Sequence, residues 1–132
     1  MGLNMNICRL YFIDMIKALW YCHYVIKVIH RDIKPDNIMI NHYDEAVLID
    51  FGVSAIFENE DTEMKNNIGS YVFFAPEMFQ KSNGIKIRGE KTDIWALGVT
   101  LFYMLTGQYP SGNATDLLNL KDRILNNNID FS

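Results

Sequence analysis

The sequence predicts a mainly α-helical domain that carries one small β-hairpin. Three observations support this expectation. Apolar residues recur at helical spacing between Ile7 and Cys22, and an almost wholly apolar run extends from Ile94 to Leu105. Two short apolar runs, 37–40 and 46–49, flank a polar stretch, as the strands of a hairpin do. A chain of 132 residues is enough for one core, so one domain is expected.

The first helix is expected over Ile7 to His23. Ile7, Leu10, Tyr11, Met15, Ala18, Leu19 and Cys22 recur at helical spacing, with Arg9, Asp14 and Lys17 among them. Val25 to Ile29 is β-branched and apolar and reads as a short strand or extended segment that leads into a polar loop at His30. Pro35 disfavours helix at Lys34. Asn37 to Ile40 and Ala46 to Ile49 form the hairpin, with 41–45 as its turn. Ser54 to Ser70 is polar and without period, hence a loop, and Ser82 to Thr92 reads as a surface insertion. Thr92 suits the N-cap of a buried helix from Asp93 to Thr106, with Gly107 as its C-cap and Pro110 just beyond. Thr115 suits the cap of a last amphipathic helix through Leu117, Leu118, Ile124 and Leu125.

Composition excludes several functions. Apolar residues make up 49% and charged residues 21%, and the net charge of −4 offers no footprint for nucleic acid. No basic run marks a membrane surface, and the apolar stretch from Ile94 is shorter than the roughly 20 residues that cross a bilayer. No basic segment followed by an apolar one marks a signal peptide. Met1-Gly2 lacks the Ser or Thr that myristoylation favours at position 6, which is Asn6. Cys8 and Cys22 show no disulfide or metal spacing and fit a reducing compartment. A cytoplasmic location is expected.

Polar, chemically capable residues concentrate in His30-Arg31-Asp32-Ile33-Lys34-Pro35-Asp36-Asn37 and, thirteen residues after Asn37, in Asp50-Phe51-Gly52. Taken singly they are ordinary: a surface carboxylate, a structural histidine, a turn. Each segment, however, follows an apolar run, and Ala75-Pro76-Glu77 comes after both. Together they resemble the catalytic signatures of the eukaryotic protein kinases, from about Leu3 to the last residue.

The resemblance implies the C-terminal lobe of the protein-kinase-like α+β fold, with residues 1–132 as a partial kinase domain. It implies a catalytic loop at 30–37, a metal-binding motif at 50–52, an activation segment at 50–77 and a central buried helix at 93–106. By the same resemblance Asp32 accepts or orients the substrate hydroxyl proton, and Lys34 contacts the transferred phosphate. A lysine there is similar to the serine/threonine class. Asn37 and Asp50 would hold Mg²⁺ against ATP, Met39 would pack under adenine, and Ser70 would sit in the loop that docks the protein substrate. His30 and Phe51 would stack in the core and connect the active-site loops to Asp93. Glu77 would await an arginine. Trp95 and Gly98 read as packing residues.

In relatives a phosphorylatable threonine often lies at the positions of Asn66 and Asn67, which leaves Thr62 as the nearest candidate. One residue more than usual separates His23 from His30. Lys91 to Leu101, Gly107-Gln108-Tyr109-Pro110 and the 82–90 insertion are similar to the calcium/calmodulin-dependent kinase kinase and AMP-activated kinase neighbourhood. The glycine-rich loop and the lysine and glutamate of an N-terminal lobe are not in the sequence. The chain alone is therefore expected to be inactive without that lobe. The alternative is a non-catalytic fragment that serves as an interaction module or has no function.

Overall fold

The computed structural model describes residues 1–56 and 68–126. Helix α1 spans Met5–Trp20, and the Asn4 side chain caps it by accepting from the Asn6 amide at 2.8 Å. It buries Cys8, Met15 and Leu19. Beyond Trp20 the helix widens into a π-helical turn, Tyr21–Val25, closed by the Ile26 amide on the Tyr21 carbonyl at 3.2 Å. The expected end at His23 thus falls inside a widened turn, and Val25 belongs to that turn and not to an extended segment. Strand β1 is only Val28–Ile29.

The expected hairpin is present, one residue shorter at its outer ends. Strands β2 (Ile38–Ile40) and β3 (Ala46–Leu48) pair antiparallel, with Met39 opposite Val47. Asn41 builds the turn by accepting from the amides of Tyr43 (2.9 Å) and Glu45 (3.0 Å). Helix α1 pins the hairpin from below. Asp14 accepts from the Ala46 amide at 3.0 Å, and the Tyr11 hydroxyl donates to Asp44 at 2.7 Å.

A second sheet corrects the expectation of a single hairpin. Strand β4 (Ala55–Ile56) lies in the stretch read as loop and pairs antiparallel with β1, Val28 against Ile56 and Ile29 against Ala55. The expectations placed on Thr62, Asn66 and Asn67 lie outside the described residues. Short 3₁₀ turns follow at Tyr71–Phe73, Pro76–Phe79 and Lys81–Asn83.

Helix α2 spans Gly89–Thr106, so the sequence placed its start four residues too late. Thr92 is not a cap. Its hydroxyl donates back to the Gly89 carbonyl at 2.7 Å inside the first turn, a bond threonine can make without leaving the helix. The surface-insertion reading of 82–92 is overturned in its second half as well. Ile87 is 0% exposed, Glu90 and Thr92 are buried, and Glu90 pairs with Arg88 at 2.6 Å. Gly107 ends α2 at φ +74, its amide on the Tyr103 carbonyl at 2.8 Å.

Helix α3 covers Leu117–Asn126. Its cap is Asp116, which accepts from the Asn119 amide at 2.9 Å, in place of the expected Thr115. Met15, Leu19, Ile33, Leu48, Phe73 and Leu97 form the main core between α1, β3 and α2. A second cluster joins Ile29, Phe74, Met78 and Ile87. The described residues are mostly helical, with two small two-stranded sheets among them. No helix among the described residues is long and apolar enough to cross a membrane.

Candidate active site

Asp93, almost wholly buried in α2, is the origin of the site. A buried carboxylate needs donors, and three converge here. Its Oδ2 accepts from His23 Nε2 (2.7 Å) and the His30 amide (2.9 Å), and its Oδ1 accepts from the Arg31 amide (3.0 Å). This grip holds Arg31 at φ +70, a left-handed conformation uncommon for a non-glycine residue. The chain therefore turns sharply just before Asp32. The Arg31 guanidinium donates to the Val53 carbonyl and ties the loop to the segment after Asp50.

His30 is fully buried and joins the two motifs. Its Nδ1 accepts from the Asp32 amide at 3.1 Å, so Nε2 carries the hydrogen and donates to the Ile49 carbonyl at 2.8 Å. Its ring meets Phe51 edge to face at 4.8 Å. Phe51 is itself 40% exposed, so the expected core stacking leaves one part of that ring open.

Asn37, at the end of a 3₁₀ turn begun by Pro35, reaches back to Asp32. Its Nδ2 donates to the Asp32 carbonyl (2.8 Å) and to Oδ2 (3.0 Å), and its own carbonyl accepts from the Ile49 amide at 2.9 Å. Lys34 Nζ stands 3.5 Å from Asp32 Oδ2 and donates to Ser70 Oγ at 3.2 Å. Ser70 arrives there because Gly69 packs against the loop. A Cβ at Gly69 would meet the Arg31 carbonyl at 2.7 Å. Asp32, Lys34, Asn37 and Ser70 are thus one connected cluster.

Asp50 follows Ile49, whose amide bonds to the Asn37 carbonyl. It is exposed, holds φ +59, and accepts from the Gly52 amide at 3.2 Å. With Asn37 Nδ2 engaged by Asp32, Asn37 Oδ1 has no donor among the described residues. Two hard oxygen ligands, one amide and one carboxylate, suit Mg²⁺, which keeps waters and takes phosphate oxygens. Among the described residues no three His, Cys, Asp or Glu side chains converge to hold a metal by themselves.

Met39 lies on the open face of β2, 57% exposed, with an apolar surface and no cover among the described residues. Glu77 is half-buried in the 3₁₀ turn and makes no side-chain ion pair or hydrogen bond among the described residues. Burial and the Asp93 charge push the Cys22 thiol above its ordinary range. The sequence reading missed His23 as part of the site. Its signal was present: it continues the buried stripe of Met15 and Leu19 at four-residue spacing, where a polar side chain needs a partner.

The chain matches the protein kinase domain over residues 1–130. It is 40% identical over 126 residues to the serine/threonine-protein kinase GRIK2 of Arabidopsis thaliana, covering 96% of this chain and 30% of that protein. It is also 40% identical over 137 residues to the serine/threonine-protein kinase ssp1 of Schizosaccharomyces pombe, covering 98% and 21%. To the serine/threonine-protein kinase CHK1 of Saccharomyces cerevisiae it is 35% identical over 112 residues, covering 83% and 21%. The chain belongs to the protein kinase family, among serine/threonine kinase homologues. It spans less than a third of the length of these curated relatives.

Proposed function

We propose that this chain is the catalytic part of the C-terminal lobe of a kinase that phosphorylates serine or threonine hydroxyls on proteins, using ATP and Mg²⁺. The single observation that carries the reading is the Asp32–Asn37–Lys34–Ser70 cluster, held from below by Asp93. Phosphoryl transfer asks little covalent chemistry of the protein and much positioning and charge stabilisation.

Each residue has a role in that chemistry. Asp32 receives and orients the substrate hydroxyl, its carboxylate braced by Asn37 Nδ2 at 3.0 Å so that it keeps one direction. Lys34, 3.5 Å from the same oxygen, brings a positive charge to the place where charge builds on the transferred group. Ser70, bonded to Lys34, ties the substrate-docking loop to the catalytic loop. Asn37 and Asp50 would hold Mg²⁺, and Met39 offers an apolar floor for the adenine. ATP supplies the phosphoryl group, and Mg²⁺ neutralises charge on its phosphates when bound.

The test uses the full-length protein. Asp32→Asn should lower kcat by about 100-fold or more while nucleotide affinity stays within about threefold, since general-base groups contribute on the order of 100- to 10,000-fold. Asp50→Ala should remove Mg²⁺-dependent nucleotide binding. Unchanged kcat in Asp32→Asn sinks the role given to that carboxylate.

A further inference from the structure

Two buried polar atoms, one on α2 and one in the turn beyond it, border a single small cavity. The indole Nε1 of Trp95 and the hydroxyl Oγ of Ser111 are both buried and make no hydrogen bond among the described residues. Native proteins keep few such groups, because an unpartnered buried donor gives up water without a replacement. Both residues line a cavity of about 80 Å³, together with the apolar side chains of Val72, Val99, Pro110 and Ile124. A single water needs about 10–15 Å³ of such space, so there is room for several heavy atoms.

Arg123 of α3 lines the same cavity and brings a charge to it. Its Nε donates to Asn119 Oδ1 at 2.9 Å and its Nη1 to the Ser111 carbonyl at 3.1 Å, so the guanidinium is held beside Ser111. Gly112, at φ +65, permits that approach: a Cβ there would stand 2.9 Å from Nη1. No carboxylate among the described residues pairs with Arg123, and its other N–H groups are left for an occupant.

The chemistry of these groups selects the occupant. Trp95 Nε1 and the guanidinium only donate, and the Ser111 hydroxyl donates or accepts. The occupant therefore brings acceptor oxygens, and the positive charge favours an anion. A planar carboxylate matches the guanidinium fork. The four apolar side chains suit a short alkyl stem and oppose the hydration that a phosphate keeps. Val72 belongs to the 3₁₀ turn Tyr71–Phe73, which follows Ser70 directly, so the cavity backs onto the segment that carries Ser70.

We propose that this cavity binds a carboxylate on a short alkyl stem, held by Arg123, Ser111 and Trp95, and that a glutamate side chain of the protein substrate supplies it. The source rests on the phosphotransfer reading above; the carboxylate site does not. A free short-chain acid carries the same chemistry and is the rival source.

The experiment follows the Trp95 indole N–H by NMR in the full-length protein during titration with sodium butyrate, with sodium chloride at equal ionic strength as the control. A saturable shift at Trp95 is expected with butyrate alone, while the exposed Trp20 indole stays in place. Arg123→Met, which keeps the stem and removes the charge, should abolish the shift. Ser111→Leu, which fills the cavity, should do the same. The wild-type titration decides the matter even where a variant fails to fold. No shift, an equal shift with chloride (an adventitious ion only), or a full shift in Arg123→Met overturns the site. A second arm measures kcat/KM for acceptor peptides in which one glutamate or glutamine is moved along the sequence around the serine. Glutamate should be preferred about tenfold or more at one position, as a hydrogen bond to a charged group allows, and Arg123→Met should erase the preference. A butyrate shift without any peptide preference keeps the carboxylate site and overturns the substrate as its source. A butyrate shift in a protein that transfers no phosphate removes the phosphotransfer reading and leaves the site standing.

Discussion

Gly69 carries a steric constraint that a sequence motif cannot display. At φ +110, with a virtual Cβ 2.7 Å from the Arg31 carbonyl, it lets the Gly69-Ser70 segment lie directly on the loop from His30 to Asn37. Gly69→Ala should cost about 2 kcal/mol through backbone strain and push Ser70 off Lys34. Urea unfolding measures the first effect and KM for the protein substrate the second. Cys8 and Cys22 give a pH prediction. Burial raises both thiols above 9.0, with the Asp93 charge adding to the rise at Cys22. The folded state therefore holds these protons more tightly than the unfolded state does. The stability they contribute is complete below a pH of about 9 and is lost as pH rises through the raised values. Thermal melts across that range should show an alkaline fall that is shallower in Cys8→Ala/Cys22→Ala. The clustering of candidate site residues was legible where the partners are close in sequence. Asp32, Lys34 and Asn37 contact one another within a single loop. The His23–Asp93 bond joins residues 70 apart, and only the fold brings them together.

At the scale of elements, the sequence revealed long periodic segments and missed those that depend on distant partners. Helix α1 and the β2–β3 hairpin stand near their expected places because their own apolar spacing drives them. Strand β4 was not legible, because Ala55 and Ile56 are too few to show a period and become strand only through β1. The start of α2 was misplaced because Gly89 and Glu90 look like loop residues until Ile87 is seen to anchor the approach. That anchor can be measured. Ile87→Ala should destabilise by about 3 kcal/mol, as large-to-small changes in a core do, whereas a residue in a surface insertion would cost almost nothing. Calorimetry or urea titration separates the two. Asn4→Ala should cost about 1 kcal/mol through loss of the α1 cap. Melting temperature is the readout, with catalysis unaffected.

On the scale of the whole molecule, the described chain leaves much apolar surface open. Ile7, Leu10, Ile13, Ile16 and Trp20 form an exposed stripe along α1, and a groove of about 430 Å³ runs beside Ile94, Gly98, Leu101 and Phe102 on α2. Surfaces of this kind are normally covered. The 132-residue chain alone should bind a hydrophobic dye and self-associate, and on the function proposed above its ATP affinity should be weak, because Asn37, Asp50 and Met39 are the groups it would offer. Light scattering and isothermal titration check both. The β1–β4 pairing acts at this scale too. Residues 30–54 leave a two-residue ladder and return to it, so both motifs sit on a ring fastened at its neck. Asp50 cannot swing out like a free arm while that neck is closed. Opening it breaks a ladder of only two residue pairs, each hydrogen bond worth about 1 kcal/mol. Ile56→Pro should loosen the neck, and faster amide exchange at Ile29 with β2–β3 unchanged is the expected signature. The neck is thus a latch of two residue pairs on the loop that carries Asp32 and Asp50, and unzipping it leaves the helical body folded.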